Sequence, residues 1–344
     1  MKNYLLFCLF TTCLPAFLLA GTSNVKNDFQ DDFVQFDVGN NDGKEDFLIA
    51  KATSDSPSAI QVSDIIINEV MFNHPEDGAE YVEFYNRSAH RLDCSGLVFT
   101  TRKTDGTLNT GVKIPANTIL PPDSYLALTA DVEAVRNCHD CPDEAIILAV
   151  KLSALNNESA CLVLTNANKS IIYDEFQYHA DMHHVLIKNK KGVALERIFP
   201  NRPTQDADNW HSAAAAHRYG TPGFKNSQYR DEWLPDFESA PYFHLESEIF
   251  SPDNDGDNDL CILHYAFPES GYVFTVQVLS ATGTKVFTLA EQYLAEAEGV
   301  LIWDGRNRQG KLADIGIYVF YIEMIHPQTG KRKKLQLPVV LSSR

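Results

Sequence analysis

The sequence predicts an all-β protein: two antiparallel β-sandwiches in tandem behind a leader and an acidic arm. Short apolar runs, several alternating in twos, recur along most of the chain and are parted by Gly, Pro, Asn and Asp. That is the pattern of half-buried strands joined by turns. No long segment keeps the period of an amphipathic helix. With 344 residues, 44% hydrophobic and 22% charged, the chain is long enough for two domains that each bury a core.

The elements follow in order. Lys2 and the apolar run from Tyr4 to Leu19, ending at the small pair Ala20 and Gly21, read as a secretory signal over 1–20. Pro15 and the small residues favour cleavage over a retained anchor, so no transmembrane segment is expected in the mature chain. Neither Cys8 nor Cys13 sits in a lipoprotein box. Residues 21–63 form an acidic arm, three lysines against eight acidic residues. Within it, the stretch from Phe36 to Ala50 has apolar ends around an acidic turn, as in the calcium-loop hairpins of propeller repeats. One copy cannot build a propeller, so an ordinary hairpin or a disordered arm is expected.

Strands are predicted over 64–70, 81–85, 96–101, 125–129, 145–150, 161–165 and 171–178, with a turn of helix over 131–137. An irregular stretch, 200–229, and a linker, 230–243, follow. Strands resume over 260–265, 272–279, 285–289, 300–303, 316–325 and 334–341, which suits a second, smaller sandwich over 244–344.

Net charge is −17, which excludes a nucleic-acid role and suits an extracytoplasmic protein, including one that recruits cations. Five cysteines remain after the leader: Cys94, Cys138, Cys141, Cys161 and Cys261. In an oxidising compartment Cys138 and Cys141 can close a small loop, and Cys94 can meet Cys161 across a sheet. Half a zinc site is the rival reading of the first pair, and it lacks a second half. Cys261, in an apolar run, reads as a buried thiol.

The strongest chemical signal is the acidic loop carrying Asp253, Asp255, Asp257 and Asp259 around Gly256. Calcium takes several hard oxygens, and alternating aspartates on a glycine turn can converge on it. The EF-hand spacing fails, because Ser251 and Ile262 fall at its first and last positions. A structural calcium site and a solvated Asx-rich turn are the two readings. Trp303, Asp304 and Gly305 read as a core tryptophan followed by a turn. His179, Asp181, His183 and His184 have metal-ligand chemistry but read as a surface loop, and His211 as a packing residue. Glu80 and Glu83 read as ordinary strand-edge acids. The basic run Lys331 to Lys334 reads as a solvated hairpin tip. No G-x-S-x-G, P-loop or dinucleotide fingerprint is present.

Ile66-Ile67-Asn68-Glu69-Val70 and Glu80-Tyr81-Val82-Glu83-Phe84-Tyr85-Asn86-Arg87-Ser88 resemble the opening of a bacterial lamin-tail domain. So, in the same order, do Tyr125 to Thr129, Ala194-Leu195-Glu196-Arg197, and the closure from Trp210-His211-Ser212 to Thr221-Pro222-Gly223. The resemblance spans about 64–229 and implies an immunoglobulin-like sandwich. The second module is similar to the Ig-like module of the flagellar hook-capping protein and of Bacteroidetes secreted proteins. It rests on the opening at 250–259, the turn Ser280-Ala281-Thr282-Gly283, Trp303-Asp304-Gly305, Gly310 and Gly316-Ile317-Tyr318. Some related modules are sorting signals for type IX secretion, which makes outer-membrane secretion machinery an implied partner. The chain lacks the most distinctive ending of that class.

The resulting expectation is a secreted, non-enzymatic protein that binds or scaffolds at the cell envelope or surface, its partners protein or envelope glycan. The alternatives are an accessory module of a metal-dependent hydrolase or phosphoesterase, and a carbohydrate-binding protein using Trp210 or Trp303.

Overall fold

A computed structural model of the chain describes residues 33–38, 46–51, 57, 59–231, 242–326 and 329–343. It separates into two compact units, Met1–Ser54 and Asp55–Arg344. In the first, β1 (Phe33–Val38) and β2 (Asp46–Lys51) pair antiparallel, Phe36 opposite Leu48. This is the expected hairpin; its acidic turn and the leader lie outside the described residues.

The second unit holds both sandwiches. The first contains β3 (Ile65–Met71), β4 (Tyr81–Asn86), β5 (Leu92–Asp93), β6 (Val98–Arg102), β7 (Val112–Lys113), β8 (Ile119–Leu120) and β9 (Tyr125–Thr129). After α1 (Val132–Cys138) come β10 (Ile146–Ala149), β11 (Ser159–Thr165), β12 (Ile172–His179), β13 (Leu195–Arg197) and β14 (Trp210–Ser212). A six-stranded sheet in the order β10-β9-β4-β3-β13-β14 faces a four-stranded sheet, β12-β11-β6-β7. Ile65, Ile67, Phe84, Phe99, Leu126, Leu162, Leu164, Phe176 and Trp210 fill the space between them. Trp210 stacks on Phe176, ring centroids 3.7 Å apart. Helix α1 forms where Asp131 caps the Ala134 amide at 3.0 Å, with Glu133 in the first turn and Arg136 in the last.

Every residue of β3 and β4 is buried, although a sandwich strand normally shows one face to water. Their outer face is covered by residues 213–230, the stretch that reads as irregular in the sequence.

The second sandwich contains β15 (Phe243–Leu245), β16 (Ile249–Phe250), β17 (Cys261–Ala266), β18 (Val273–Ser280), β19 (Lys285–Leu294), β20 (Glu298–Trp303), β21 (Gly316–Ile325) and β22 (Arg332–Leu341). Its sheets run β15-β17-β20 and β16-β22-β21-β18-β19. Strand β17 alternates buried and half-buried residues, the period-two pattern of one wet face. Trp303 is 0% exposed at the centre, touching Phe250, Tyr318 and Phe320, and its Nε1 donates to the Arg306 carbonyl at 2.9 Å. The pairing is antiparallel except for β9 with β10 and β16 with β22, which run parallel.

Candidate functional site

Glu83, Glu69 and Glu196 stand in a row across three adjacent strands. Glu69 on β3 pairs with Glu83 on β4 and with Glu196 on β13, and all three are 0% exposed. Like charges directly opposite on a sheet repel, and burial raises the penalty. The segment from Thr221 to Gln228 compensates by supplying donors. Tyr81 Oη and the Thr221 amide donate to Glu69 Oε1 at 2.7 and 2.9 Å. The Gly223 amide and Asn68 Nδ2 donate to Glu83 at 2.6 and 2.9 Å. Ser227 Oγ and the Gln228 amide donate to Glu196 Oε2 at 2.8 and 2.9 Å. Asn226 Nδ2 holds the backbone carbonyls of Asn68 and Arg197. Gly223 is required: its φ is +93°, and a Cβ there would lie 2.2 Å from that of Ala145.

Thr221 Oγ1 lies 2.9 Å from both Glu69 Oε2 and Glu196 Oε1. A hydroxyl has one proton to give, so one of the two acids must keep its own and donate it to the Thr221 oxygen. The electrostatics agree. Burial, reinforced by Glu196, pushes Glu69 up to about 8. Burial likewise raises Glu196, and Glu83 well above the carboxylate range. Sequence reasoning missed this row and took Glu83 for an ordinary edge acid. The available signal was the apolar residues on both sides of Asn68 and Glu69, Ile65 to Ile67 and Val70 to Met71, which deny β3 a wet face.

The same segment reaches the second sandwich. The Ser227 carbonyl accepts from the Ala297 amide at 3.0 Å, and Gln228 Nε2 donates to the Ala295 carbonyl at 2.9 Å. Arg230 Nη1 donates to the Phe267 carbonyl at 2.6 Å. Nearby, His217 Nε2 meets Glu296 Oε2 at 2.9 Å, and that bond, ahead of the opposing effect of burial, raises the His217 pKa.

His183 and His184 correct the surface-loop expectation. They are 4% and 7% exposed, because a 3₁₀ turn at Ala180–Met182 folds them back onto β14. His183 Nδ1 and the His184 amide both meet Ser212 Oγ at 2.9 Å, and burial pushes His183 down to about 4. His179 and Asp181 remain exposed. Of the metal candidates, Asp253, Asp255 and Asp259 converge, with ligand oxygens within 4.8 Å of one another; Asp257 is not in that group. Asp259 accepts from the Asn254 and Gly256 amides at 2.5 and 2.9 Å, and Asn254, Gly256 and Asn258 are left-handed. The hard, all-oxygen donor set fits calcium.

The cysteines depart from both expected pairings, Cys138 with Cys141 and Cys94 with Cys161. Cys94 is 0% exposed in the core, whereas Cys161 Sγ donates to Glu175 Oε1 at 3.0 Å on the outer side of the four-stranded sheet, so the two do not meet. All five described cysteines are free thiols, and Cys261 is buried. The outer side of that sheet carries an open groove of about 680 Å³ lined by Thr101, Arg102, Ser159, Cys161, Glu175 and Gln177, among others. Arg102 grips Glu175 in a two-pronged ion pair at 2.7 and 2.6 Å. Trp210 at 3% and Trp303 at 0% exposure offer no platform for a sugar.

One family model bears on the first sandwich. Residues 58–180 match the model of the lamin tail domain. No curated protein matches the chain. FlgD from P. aeruginosa is 21% identical over 29% of this chain and 68% of its own, with a TM-score of 0.21. PorZ, described as an essential surface component of the type-IX secretion system of Porphyromonas gingivalis, is 10% identical over 79% of this chain and 38% of its own, TM-score 0.23. Dimeric latent PorU from Porphyromonas gingivalis is 9% identical over 87% and 35%, TM-score 0.24. The chain thus spans well under half the length of either Porphyromonas protein. Strands β13 and β14, which complete its larger sheet, and the segment that closes over the glutamate row lie beyond the matched residues. The chain carries a lamin tail domain.

Proposed function

We propose that this protein is a non-enzymatic binding or scaffolding protein of the cell envelope or surface. The lamin tail domain is its adhesive part, and the second sandwich a docking or sorting element. The observation that supports this most is how the ionisable residues of the first sandwich are used. Glu69, Glu83, Glu196 and His183 are committed to closing the fold, while the open polar groove over Arg102, Glu175 and Gln177 is presented on a rigid sheet. Such a surface suits a polar protein or glycan partner. The loop of Asp253, Asp255 and Asp259 takes a structural calcium ion, bracing the entry to β17 against the turn at Gly305. Pro252 lies against Gly305, in line with that role.

Fractionation and protease shaving of intact cells test the reading, comparing the full chain with one ending at Asp236. Surface exposure of the full chain alone supports a docking or sorting role for the second sandwich. Retention of both forms inside the cell removes it. Co-sedimentation with purified envelopes, lost in Gln177→Arg, tests the groove; undiminished binding by that variant places adhesion elsewhere.

A further inference from the structure

The seam between the sandwiches buries donors that find no acceptor. Arg230 is 7% exposed, and its Nε and Nη2, the two parallel donors on one side of the guanidinium, are unpartnered. Its Nη1 is fixed on the Phe267 carbonyl at 2.6 Å, so the free edge is held in place. Three residues further along the same turn, Ser270 Oγ is buried without a partner. The next residue, Gly271, faces the ring of His184. His184 Nδ1 accepts from the Leu186 amide at 3.3 Å, which leaves the ring proton on Nε2, directed at the Gly271 backbone. One orphan acceptor belongs to the same seam segment, two residues before Arg230: Gln228 Oε1, whose Nε2 is anchored on Ala295.

Water can satisfy hydrogen bonds, but it does not offset the charge of a buried guanidinium. Glu269 and Glu298 offset part of that charge through space, and Glu269 is also held by His326 Nε2 at 2.6 Å, but neither carboxylate hydrogen-bonds the free edge of Arg230. His211, which also faces Arg230, is driven neutral by burial, its pKa down to about 4. We propose that this seam binds a small oxyanion that keeps one proton, of the hydrogen phosphate class. Its oxygens accept from the Arg230 edge and Ser270, and its hydroxyl donates to Gln228 Oε1. A fork of two parallel N–H groups matches two oxygens of such an anion. The site is independent of the outer groove, and its occupant ties together two sandwiches that the chain otherwise joins through a few hydrogen bonds.

The test is titration of inorganic phosphate into the full chain at constant ionic strength, read by the phosphorus resonance of phosphate and by the melting temperature. Saturable line broadening and a melting temperature that rises to a plateau are expected. Arg230→Lys keeps the charge but loses the fork, and abolishes both responses. Ser270→Ala weakens binding about tenfold, the loss of one hydrogen bond to a charged group. Ser270→Asp, on a half-exposed turn, places a carboxylate beside Arg230; it melts higher without phosphate and no longer responds to it. The proposal is overturned if phosphate raises the melting temperature linearly and equally in all four proteins, as an excluded salt does. It is equally overturned if the folded wild type leaves the phosphate resonance unbroadened.

Discussion

Replacing Glu69 by glutamine tests the proton count at Thr221. Glutamine keeps every bond of the row: its Oε1 accepts from Tyr81 and the Thr221 amide, and its Nε2 donates to Thr221 Oγ1, whose proton then goes to Glu196. What it removes is a titration. Glu69 has a folded pKa of about 8 against an unfolded value of 4.5, raised mainly by burial. A raised acid contributes stability in full below its unfolded pKa and loses it as the pH climbs to the folded one. Each unit of pH in that window removes about 1.4 kcal/mol. Between pH 5 and pH 8 the wild type should therefore lose about 3–4 kcal/mol more than Glu69→Gln, the last part of the window being blunted near the folded pKa. Urea unfolding at pH 5, 6, 7 and 8 measures this, because titrating groups remote from the row cancel in the difference between the two proteins. The stabilities should nearly coincide at pH 5 and separate steadily toward pH 8. Parallel pH profiles would show that Glu69 is already ionised at neutral pH, which refutes the proton assigned to it.

Four further outcomes follow. Arg197, 1% exposed, holds the buried Asp174 and the Ile67 carbonyl, so Arg197→Met should lower unfolding free energy by about 3 kcal/mol or more in denaturant titrations. Trp303→Ala should remove about 3–5 kcal/mol, read as a lower melting temperature, by opening a cavity in the second core. Calorimetry should show one calcium ion bound per chain, with the heat abolished in Asp255→Ala and Asp259→Ala; no heat with the wild type eliminates the ion. His217 should titrate above about 6.5 by NMR, because Glu296 holds its pKa up. That contact is therefore strongest below that pH and fades as the pH rises through the folded value. Glu296→Gln should return the titration to the ordinary range or below it.

The longer strands were legible in the sequence because each carries its own pattern. The runs at 64–70, 81–85 and 125–129 became β3, β4 and β9, and Asp131 capped a helix where expected. The pieces that escaped, β5, β7, β8 and β13 to β16, are two or three residues long and owe their conformation to neighbours distant in sequence. The glutamate row was hidden for the same reason. A glutamate in a strand looks like a solvent-facing residue until the pairing of β4, β3 and β13 is known. His183 and His184 looked exposed because nothing local announces that a turn will fold back on Ser212. The acidic loop, by contrast, was visible at once, since its convergence depends on a single tight turn.

The closure over the glutamate row has a consequence for the order in which the protein can fold. Glu69 meets Thr221 across 152 positions, and Glu83 meets Gly223 across 140. Contacts of such high sequence separation form late and slowly. A chain emerging from its N-terminus can pair β3 with β4 early, yet three acids remain uncovered until residues 221–228 arrive. Until then those acids, in water, ionise and repel, and the larger sheet stays loose. The first sandwich is thus kept unfinished until nearly two thirds of the chain has been delivered. The segment that finishes it is the one that clasps the second sandwich, so completion of one domain and attachment of the next fall to the same few residues.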